Sequence, residues 1–457
     1  MTMRRWDGMR GATVVLALAA ACTGEPPRED ETTATATAGI PLPATSEDDG
    51  GSTGHVLDVG AGTGQNGDDG GDCVPQPTNA TLTGTVYAPN LEIPISGAVV
   101  YVTQDDPVGV PDGVYCAECV QITCNEHFVL TEPDGSFELP ASAGAGQKLV
   151  VQKGQFMHVV DIDVAEGDNV VPPTQSNLPG EWNPAAGMYI PRIAVVETFN
   201  DSIFNILGKI GLGQVSGTGG LVSGTEQFDL YSQPAGGALL DDIDAMRQYH
   251  IIFIPCMSQV DMGGLSPQRI DNIRQWVSEG GKWYVTDWAN EYLYEPFPNY
   301  QTLHGQAFDP DLGYYDTTGV VQDPDLLAWL QALPPALKDI GGGHPNLLSL
   351  PAVDIIDNWS GVDSIPSVMV MNEDGEQVDV GHHEWVRGTC PVCSPNSDLR
   401  PMTISAQYGC GRMMFSTYHT DEGEHAGLTP QELILLYIIL EIGVCHDETP
   451  PPPPPVG

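Results

Sequence analysis

The fold of the longer part of the chain is decided by the stretch SPQRIDNIRQWVSEGGKWYVTD, residues 266–287. Ser266 can cap a helix that has Pro267 at its first position. Apolar residues at helical spacing give this helix one face to bury, which consists of Ile270, Ile273, Trp276 and Val277. The pair Gly280-Gly281 ends the helix, and the apolar run that follows predicts a buried strand. A helix that leads directly into a buried strand is typical of α/β architecture.

The same alternation of strand and helix continues on both sides of this stretch. Apolar runs at 193–196 and 251–255 predict buried strands, and a further strand is predicted at 413–418. The last helix opens with a capping box at 429–432. Strands that alternate with helices form parallel sheets with helices on their faces. We therefore expect residues 188–447 to form a flavodoxin-like, three-layer α/β domain with a mostly parallel sheet.

Residues 76–175 change to the two-residue period of β-strands. Short alternating runs are separated by turn residues, as at Pro133-Asp134-Gly135. A recurring pattern of small, apolar and turn residues runs through the segment: Gly84, Val86, Pro94, Gly97, Ala98, Val100, Thr131, Asp134, Gly135 and Phe137. This pattern resembles the carboxypeptidase regulatory-like domain, a small transthyretin-type β-sandwich. The resemblance implies an antiparallel β-sandwich that acts as a scaffold or binding module.

The N-terminus predicts export. Basic residues at 4, 5 and 10 precede the apolar run 11–21, which is too short to span a bilayer as a stable helix and is typical of a signal peptide. Leu18-Ala19-Ala20-Ala21-Cys22 resembles the bacterial lipobox. This resemblance implies cleavage after residue 21, lipidation of Cys22 and attachment to a membrane, with plain secretion as the alternative. Thr23 follows the cysteine, and the resemblance then implies an outer-membrane lipoprotein, periplasmic or surface-exposed.

Two segments have compositions that cannot build a core. Residues 22–75 are low in complexity and rich in Thr, Ala, Gly, Asp and Glu, which predicts a disordered acidic tether. Residues 448–457 predict an extended proline-rich tail. The whole chain of 457 residues carries 61 acidic and 16 basic side chains, a formal net charge of -45. Such a charge excludes nucleic acid as a partner and leaves a solvated acidic surface or a calcium-dependent surface as alternatives.

Three stretches of the α/β part resemble the class I glutamine amidotransferase-like fold: residues 249–256, 276–285 and 415–422. An active member of that family has a cysteine on a tight elbow after a strand, where the turn exposes sulfur near backbone N–H donors. Asp287 occupies the corresponding position here, and no neighbouring glycine favours a strained elbow. We therefore expect the amidotransferase mechanism to be lost.

Polar side chains nevertheless follow several predicted strands. Cys256, Asp287 and His419 each come directly after a strand, and Glu422 lies close to His419. Ligands of open α/β sheets bind beyond the carboxyl ends of the strands. A carboxylate and a histidine there could perform acid–base catalysis or hold a metal. Two interpretations remain open: these candidates gather at one cleft, or they are separate residues of surface loops.

Ten cysteines in an exported chain favour disulfides. The candidates are Cys116, Cys119, Cys124, Cys390, Cys393, Cys410 and Cys445. Cys116, Cys119 and Cys124 could instead bind zinc together with His127. Cys390-Pro391-Val392-Cys393 resembles a redox CxxC motif, but its Pro, Ser and Asn neighbours favour a structural loop disulfide. Cys410 and Cys445 flank the last strand and helix and could join them.

The order of segments as a whole resembles exported lipoproteins of myxobacterial type. A binding-type module joined to a fold without its nucleophile favours a non-catalytic cell-surface protein that binds a glycan, a peptide or another protein. One alternative is a metal-dependent hydrolase that uses Asp287 and His419. The other is a structural component of the envelope. The sequence names no cofactor.

Overall fold

The computed structural model of the chain describes residues 78–117, 127–307, 310–372, 375–421, 423–441 and 452–454. The predicted signal peptide, Cys22 and the tether lie outside the described residues, as does the tail apart from 452–454. Cys119, Cys124, Glu422 and Cys445 also lie outside them. Within the described part, no helix combines the length and the apolar character that crossing a bilayer requires.

The first part of the described chain is built from two β-sheets. Its elements are β1 (Ala80–Thr85), β2 (Val99–Thr103), β3 (Phe128–Leu130), β4 (Ser136–Ala141), β5 (Gly144–Lys153), β6 (Phe156–Val164), β7 (Gly167–Val170), α1 (Pro173–Ser176) and β8 (Met188–Tyr189). One sheet has the strand order β4-β1-β7 and the other β3-β2-β5-β6-β8. Neighbouring strands are antiparallel except β1 and β7. This part is β-rich, as predicted, and β8 joins it from beyond residue 175.

Local contacts explain the turns of this β-rich part. Asp134 accepts hydrogen bonds from the backbone and hydroxyl of Ser136, at 2.9 and 2.6 Å. Gly135 has φ +77°, and a Cβ there would lie 2.6 Å from the carbonyl oxygen of Val86. Because L side chains rarely adopt this conformation, the turn between β3 and β4 requires glycine at its tip.

The second part contains the remaining helices and strands. They are β9 (Ile193–Val196), α2 (Ile203–Leu207), β10 (Asp229–Tyr231), α3 (Gln233–Leu240), α4 (Ile243–Met246), β11 (Ile251–Ile254), α5 (Pro267–Ser278), β12 (Lys282–Thr286), α6 (Glu291–Tyr294), β13 (Thr302–Leu303), β14 (Tyr315–Val321), α7 (Pro324–Ala332), α8 (Pro335–Lys338), β15 (Ala352–Asn358), β16 (Val362–Ser364), β17 (Met369–Met371), β18 (Gln377–Asp379), β19 (His383–Thr389), β20 (Leu399–Tyr408), β21 (Gly411–Ser416) and α9 (Pro430–Glu441). Ser266 caps α5 by accepting from the backbone N–H of Arg269, as the sequence predicts.

Nine described strands of this part form one mixed sheet with the order β10-β9-β11-β12-β21-β20-β19-β14-β15. The pairings from β10 to β21 are parallel. The pairings from β21 to β15 are antiparallel. The prediction of a mostly parallel sheet is therefore wrong for half of the pairings. The antiparallel half was missed because β20 and β21 are joined by a short turn without a helix, and because β14 and β15 pair antiparallel although α7 and α8 lie between them.

Helices cover both faces of the mixed sheet. Trp283 and Val285 of β12 belong to the core that α5 closes with Ile273, Trp276 and Val277. Tyr284 points to the other face, where its hydroxyl donates to the carbonyl of Leu435 in α9 at 3.3 Å. Residues 430–440 of α9 are all buried. Successive side chains of β12 thus point into two different cores. This explains why the strand is apolar along its whole length.

The face that α9 covers continues into the β-rich part without a break. Leu82, Val100 and Phe137 belong to the same hydrophobic core as the α9 residues. The indole N–H of Trp329 in α7 donates to the carbonyl of Pro94 at 2.8 Å. A disulfide between Cys116 and Cys410 adds a covalent connection across a separation of 294 residues. The two parts are therefore held together by packing, hydrogen bonding and a disulfide.

Candidate metal centre at the strand ends

Three of the predicted site residues meet at the carboxyl edge of the parallel half of the sheet. Cys256 follows β11, Asp287 follows β12 and His419 follows β21, and these strands are neighbours. One ligand atom of each residue lies within 4.8 Å of those of the other two. Each of the three residues is 0% exposed. The structure thus brings these three together in a buried cluster and does not place them on separate surface loops.

Asp287 sits on a strained turn. Its φ is +50°, in the left-handed region, and a 3-10 turn over Asp287–Ala289 follows directly. The prediction that the lack of a neighbouring glycine excludes a strained elbow is therefore wrong. Aspartate tolerates this region better than most residues, because its short side chain can hydrogen-bond locally. Asp287 Oδ1 accepts from the backbone N–H of Trp359 at 2.9 Å, which holds the turn in place.

His419 is oriented from two sides. Its Nδ1 is hydrogen-bonded to Asp287 Oδ2 at 2.7 Å, and its carbonyl oxygen accepts from Gln431 Nε2 of α9 at 2.6 Å. Burial alone lowers the pKa of His419, but the hydrogen bond and charge of Asp287 raise it to about 10. Burial raises the pKa of Asp287 to about 7, against the opposing hydrogen bond from His419. The hydrogen bond and the charges therefore couple the titration of the two groups.

The second ring nitrogen of His419 is the most informative atom of the cluster. In the described part, this buried Nε2 has no hydrogen-bond partner. A buried polar atom without a partner costs about 1–3 kcal/mol, so native structures rarely keep one without a reason. A histidine that binds a metal through one nitrogen commonly donates its other N–H to a carboxylate. The contact with Asp287 gives His419 this arrangement.

Further buried polar atoms without a partner among the described residues belong to residues next to those of the cluster in sequence or contact. They are Trp288 Nε1, Asn290 Oδ1 and Ser360 Oγ. Trp288 follows Asp287 directly, and Ser360 follows Trp359, whose N–H binds Asp287. Buried polar groups without protein partners are features of sites that hold water or a ligand.

Three aromatic rings are in contact beside the Asp287 turn. The Trp288 and Trp359 ring centroids are 6.0 Å apart, and those of Tyr314 and Trp359 are 5.6 Å apart. Tyr314 is 42% exposed and the two tryptophans are half-buried. Trp288 follows Asp287 in the chain, so this aromatic group extends from the residue after Asp287 to an exposed tyrosine.

Sequence reasoning missed two carboxylates of this region, Asp201 and Asp357. Asp201 is 1% exposed in the loop after β9, and Asp357 is 9% exposed near the end of β15 with φ +59°. Asp201 could have been found, because its strand was predicted and its loop lies at the same edge of the sheet. Asp357 could not have been found in this way, because β15 belongs to the antiparallel half of the sheet, which the sequence did not predict.

The cysteine predictions have mixed outcomes. Cys390 and Cys393 form a disulfide, as expected for a loop pair. Cys116 is joined to Cys410, so the suggested Cys410–Cys445 link is wrong. The zinc site of Cys116, Cys119, Cys124 and His127 is also wrong as predicted, because a disulfide sulfur is not a thiolate ligand. His127 is half-buried beside β3.

Comparisons with known proteins give distant structural likenesses. No protein-family model and no curated protein matches the chain. A ThuA-like protein from Bacteroides uniformis is 12% identical over 55% of this chain and 91% of its own, with a TM-score of 0.32. A cytoplasmic protein from Salmonella typhimurium is 9% identical over 55% and 98%, with a TM-score of 0.30. A β-galactosidase from Bacillus circulans is 11% identical over 56% and 31%, with a TM-score of 0.27. At these TM-scores the likenesses support no assignment of activity.

Proposed function

We propose that the chain is a metalloprotein that holds a divalent transition ion, such as zinc, at Cys256 and His419, with Asp287 orienting the His419 ring, and that it uses the metal for hydrolysis. The observation that carries the proposal is the geometry of His419. Its Nδ1 is fixed by a carboxylate, and its buried Nε2 has no partner among the described residues. The Cys256 thiol belongs to the same buried cluster.

The donor set suits zinc. Thiolate and imidazole are ligand types that zinc accepts, at about 2.0–2.3 Å, with water completing the coordination. Tetrahedral ligands at these bond lengths are roughly 3.3–3.8 Å apart. The separations of up to 4.8 Å within the cluster therefore need a contraction of about 1 Å between Cys256 and His419, which side-chain rotation can supply. A divalent ion would also offset the buried negative charge of Asp287.

The surroundings of the cluster favour hydrolysis. A catalytic zinc keeps a coordination position for water and lowers the pKa of that water to about 7. Trp288 Nε1, Asn290 Oδ1 and Ser360 Oγ supply hydrogen-bonding groups for a substrate or water. Two backbone strains, at Asp287 and Asp357, lie in the same region. Strain of this kind clusters at functional sites.

Hydrolysis is tested with the purified full chain on a panel of ester, peptide, glycoside and phosphoester substrates. We expect turnover of at least one substrate class, loss of turnover on chelation, and recovery on adding zinc. His419→Ala should remove the activity, while His344→Ala should keep it. Turnover that persists in His419→Ala would rule out this site as the source. A panel without turnover would overturn the hydrolytic part of the proposal.

Full burial of Cys256, Asp287 and His419 supports a second candidate, a non-catalytic metal site within a binding protein. Structural zinc sites are closed, whereas catalytic sites keep an open position. In this case the protein would hold one metal per chain and hydrolyse none of the panel. Its partner would be a glycan, a peptide or another protein bound elsewhere. Water relaxation measured on the chain loaded with a paramagnetic ion distinguishes the two, because only an open site exchanges bound water.

In the proposed function, the β-rich part serves as a scaffold and the N-terminus directs the chain to a membrane. The two sheets around Leu82 and Val100 are compatible with a regulatory-like sandwich, and the mixed sheet is compatible with a flavodoxin-like arrangement in its parallel half. Lipidation at Cys22 would attach the chain to the outer membrane. Incorporation of labelled palmitate into the wild type but not into Cys22→Ala tests this attachment. Equal labelling of both would contradict it.

A further inference from the structure

Asp201 is a buried carboxylate to which the sequence and the proposed chemistry assign no role. It lies in the loop between β9 and α2, and its side chain is buried at the same edge of the sheet as the metal cluster. A carboxylate loses much hydration when it is buried, so it needs strong hydrogen-bond donors in compensation. The identity of those donors shows what Asp201 does.

The donors come from the three loops that carry the residues of the metal cluster. Asp201 Oδ2 accepts from the Thr286 hydroxyl at 2.6 Å and from the backbone N–H of Cys256 at 3.4 Å. Asp201 Oδ1 accepts from the hydroxyl and the backbone N–H of Thr420, at 2.8 and 3.4 Å. Thr286 precedes Asp287, and Thr420 follows His419. Each contact is therefore made by a cluster residue itself or by its immediate neighbour.

We infer that Asp201 is the positioning residue of the metal centre, which fixes the loops of Cys256, Asp287 and His419 relative to one another before an ion binds. The inference rests on the proposed function. The three loops follow three different strands, and one carboxylate bonded to all of them supplies a common reference point. Outer residues that orient metal ligands typically change affinity by roughly 10–100-fold when they are replaced.

The two oxygens of Asp201 are both needed as acceptors. The backbone N–H of Cys256 points to one oxygen and that of Thr420 to the other. An N–H cannot accept, so an asparagine would place its own NH₂ against one of these two donors. Asp201→Asn therefore releases one loop while it keeps the size and shape of the side chain.

The experiment uses the full chain with cobalt(II) as the probe ion, because a cobalt–thiolate bond gives an absorption band in the near ultraviolet. We expect Asp201→Asn to bind cobalt roughly 10–100-fold more weakly than the wild type, with a weakened or shifted thiolate band. Asp261→Asn is the matched control. Asp261 is exposed and accepts from the backbone N–H of Ser258 in the loop after Cys256. An asparagine oxygen can keep this bond, so the replacement should leave affinity and band unchanged.

Single-contact variants keep the inference testable if Asp201→Asn fails to fold. Thr286→Val and Thr420→Val each remove a hydroxyl donor to Asp201. Each should weaken cobalt binding, and the far-ultraviolet circular dichroism should match the wild type. Wild-type affinity and an unchanged thiolate band in all three variants would overturn the positioning role.

A readout without metal separates this inference from the proposed function. The Nδ1 proton of His419, hydrogen-bonded to Asp287 at 2.7 Å, should give a low-field proton resonance in the metal-free wild type. We expect Asp201→Asn to lose or shift this resonance and Asp261→Asn to keep it. A wild type that binds no cobalt would contradict the proposed function. In that case, an unchanged His419 resonance in Asp201→Asn would contradict the positioning role as well. Loss of the resonance in Asp201→Asn would support the positioning role even without a bound metal.

Discussion

Two histidine–aspartate pairs share one hydrogen-bond geometry, and each has one member in the loop after β21. In the first, His419 Nδ1 is 2.7 Å from Asp287 Oδ2, and in the second, His344 Nδ1 is 2.7 Å from Asp421 Oδ2. His419 and Asp421 are two residues apart in the loop after β21. The side chains of the first pair are 0% exposed, while those of the second are 30% and 10% exposed.

The difference between the pairs lies in what surrounds them. The ring of His344 reaches solvent and stacks on His425, with centroids 4.8 Å apart. The ring of His419 is enclosed, and Cys256 contributes a ligand atom within 4.8 Å. Coulomb attraction at a surface is screened by water, whereas a buried pair gives up its hydration. A pair retained at that cost, beside a thiol, indicates a role beyond stability.

The largest expected effect is on metal affinity. His419→Ala should weaken zinc binding by more than about 100-fold, because even outer-shell changes cost roughly 10–100-fold. His344→Ala, the matched histidine of the exposed pair, should leave zinc binding unchanged. Competition titration against a chromophoric chelator measures both. Equal losses in the two variants would show that the ion is not held at His419.

The next effect is on the stability of the metal-free protein. Asp287→Ala should lower the free energy of unfolding by about 3–5 kcal/mol, because it leaves the buried imidazole of His419 without its carboxylate. Urea unfolding in the presence of a chelator measures the change. A loss below about 1 kcal/mol would mean that the pair is solvated in solution and that the burial seen here does not persist.

A third histidine, His250, extends the comparison to the pH dependence of the free energy of unfolding. His250 is buried like His419, but its ring bonds to the backbone of Arg192 and Pro111. Burial and the charge of Lys282 lower its pKa to about 4. Because the folded pKa lies below the unfolded value of about 6.5, the unfolded chain binds more protons in this window, and stability falls as the pH drops from 6.5 to 4.

The size of this contribution is roughly 3 kcal/mol, from about 2.5 pKa units. It should be present above pH 6.5 and lost by about pH 4. Urea unfolding of the wild type and His250→Gln across this range measures it, since a neutral glutamine does not titrate. The wild type should lose about 3 kcal/mol more than the variant. Parallel pH profiles would show that His250 titrates normally in the fold.

The smallest effect is expected at the exposed pair. His344→Ala should change the free energy of unfolding by about 0–1 kcal/mol, because the His344 ring reaches solvent and its ion pair is screened. Urea unfolding near neutral pH measures the change. A loss as large as that of Asp287→Ala would remove the distinction between the two pairs.

The sequence could predict the parallel half of the sheet because its elements carry local signals. The cap at Ser266 and the alternation of strand and helix are visible within a few turns of chain. The same reasoning placed Cys256, Asp287 and His419 at the carboxyl edge, since parallel strands end at one edge. Whether these residues gather at one cleft or lie on separate surface loops depends on packing between distant residues, which no local sequence pattern contains.

Other features of the site depend on contacts between distant residues. Asp201 and Thr420 are 219 positions apart, and Cys116 and Cys410 are 294 apart. Asp287 has a positive φ, and its carboxylate accepts from the N–H of Trp359, which follows β15 in the antiparallel half. Glycine is the usual sequence signal for a residue with positive φ. Because an aspartate occupies this position, the sequence did not indicate the turn.

Elemental analysis of the full chain, dialysed against excess zinc and then against metal-free buffer, tests the central claim most directly. The double variant Cys256→Ser with His419→Ala is treated in parallel. The account predicts one zinc per wild-type chain and none in the double variant. A wild-type chain without zinc, or an equal zinc content in both proteins, would contradict it.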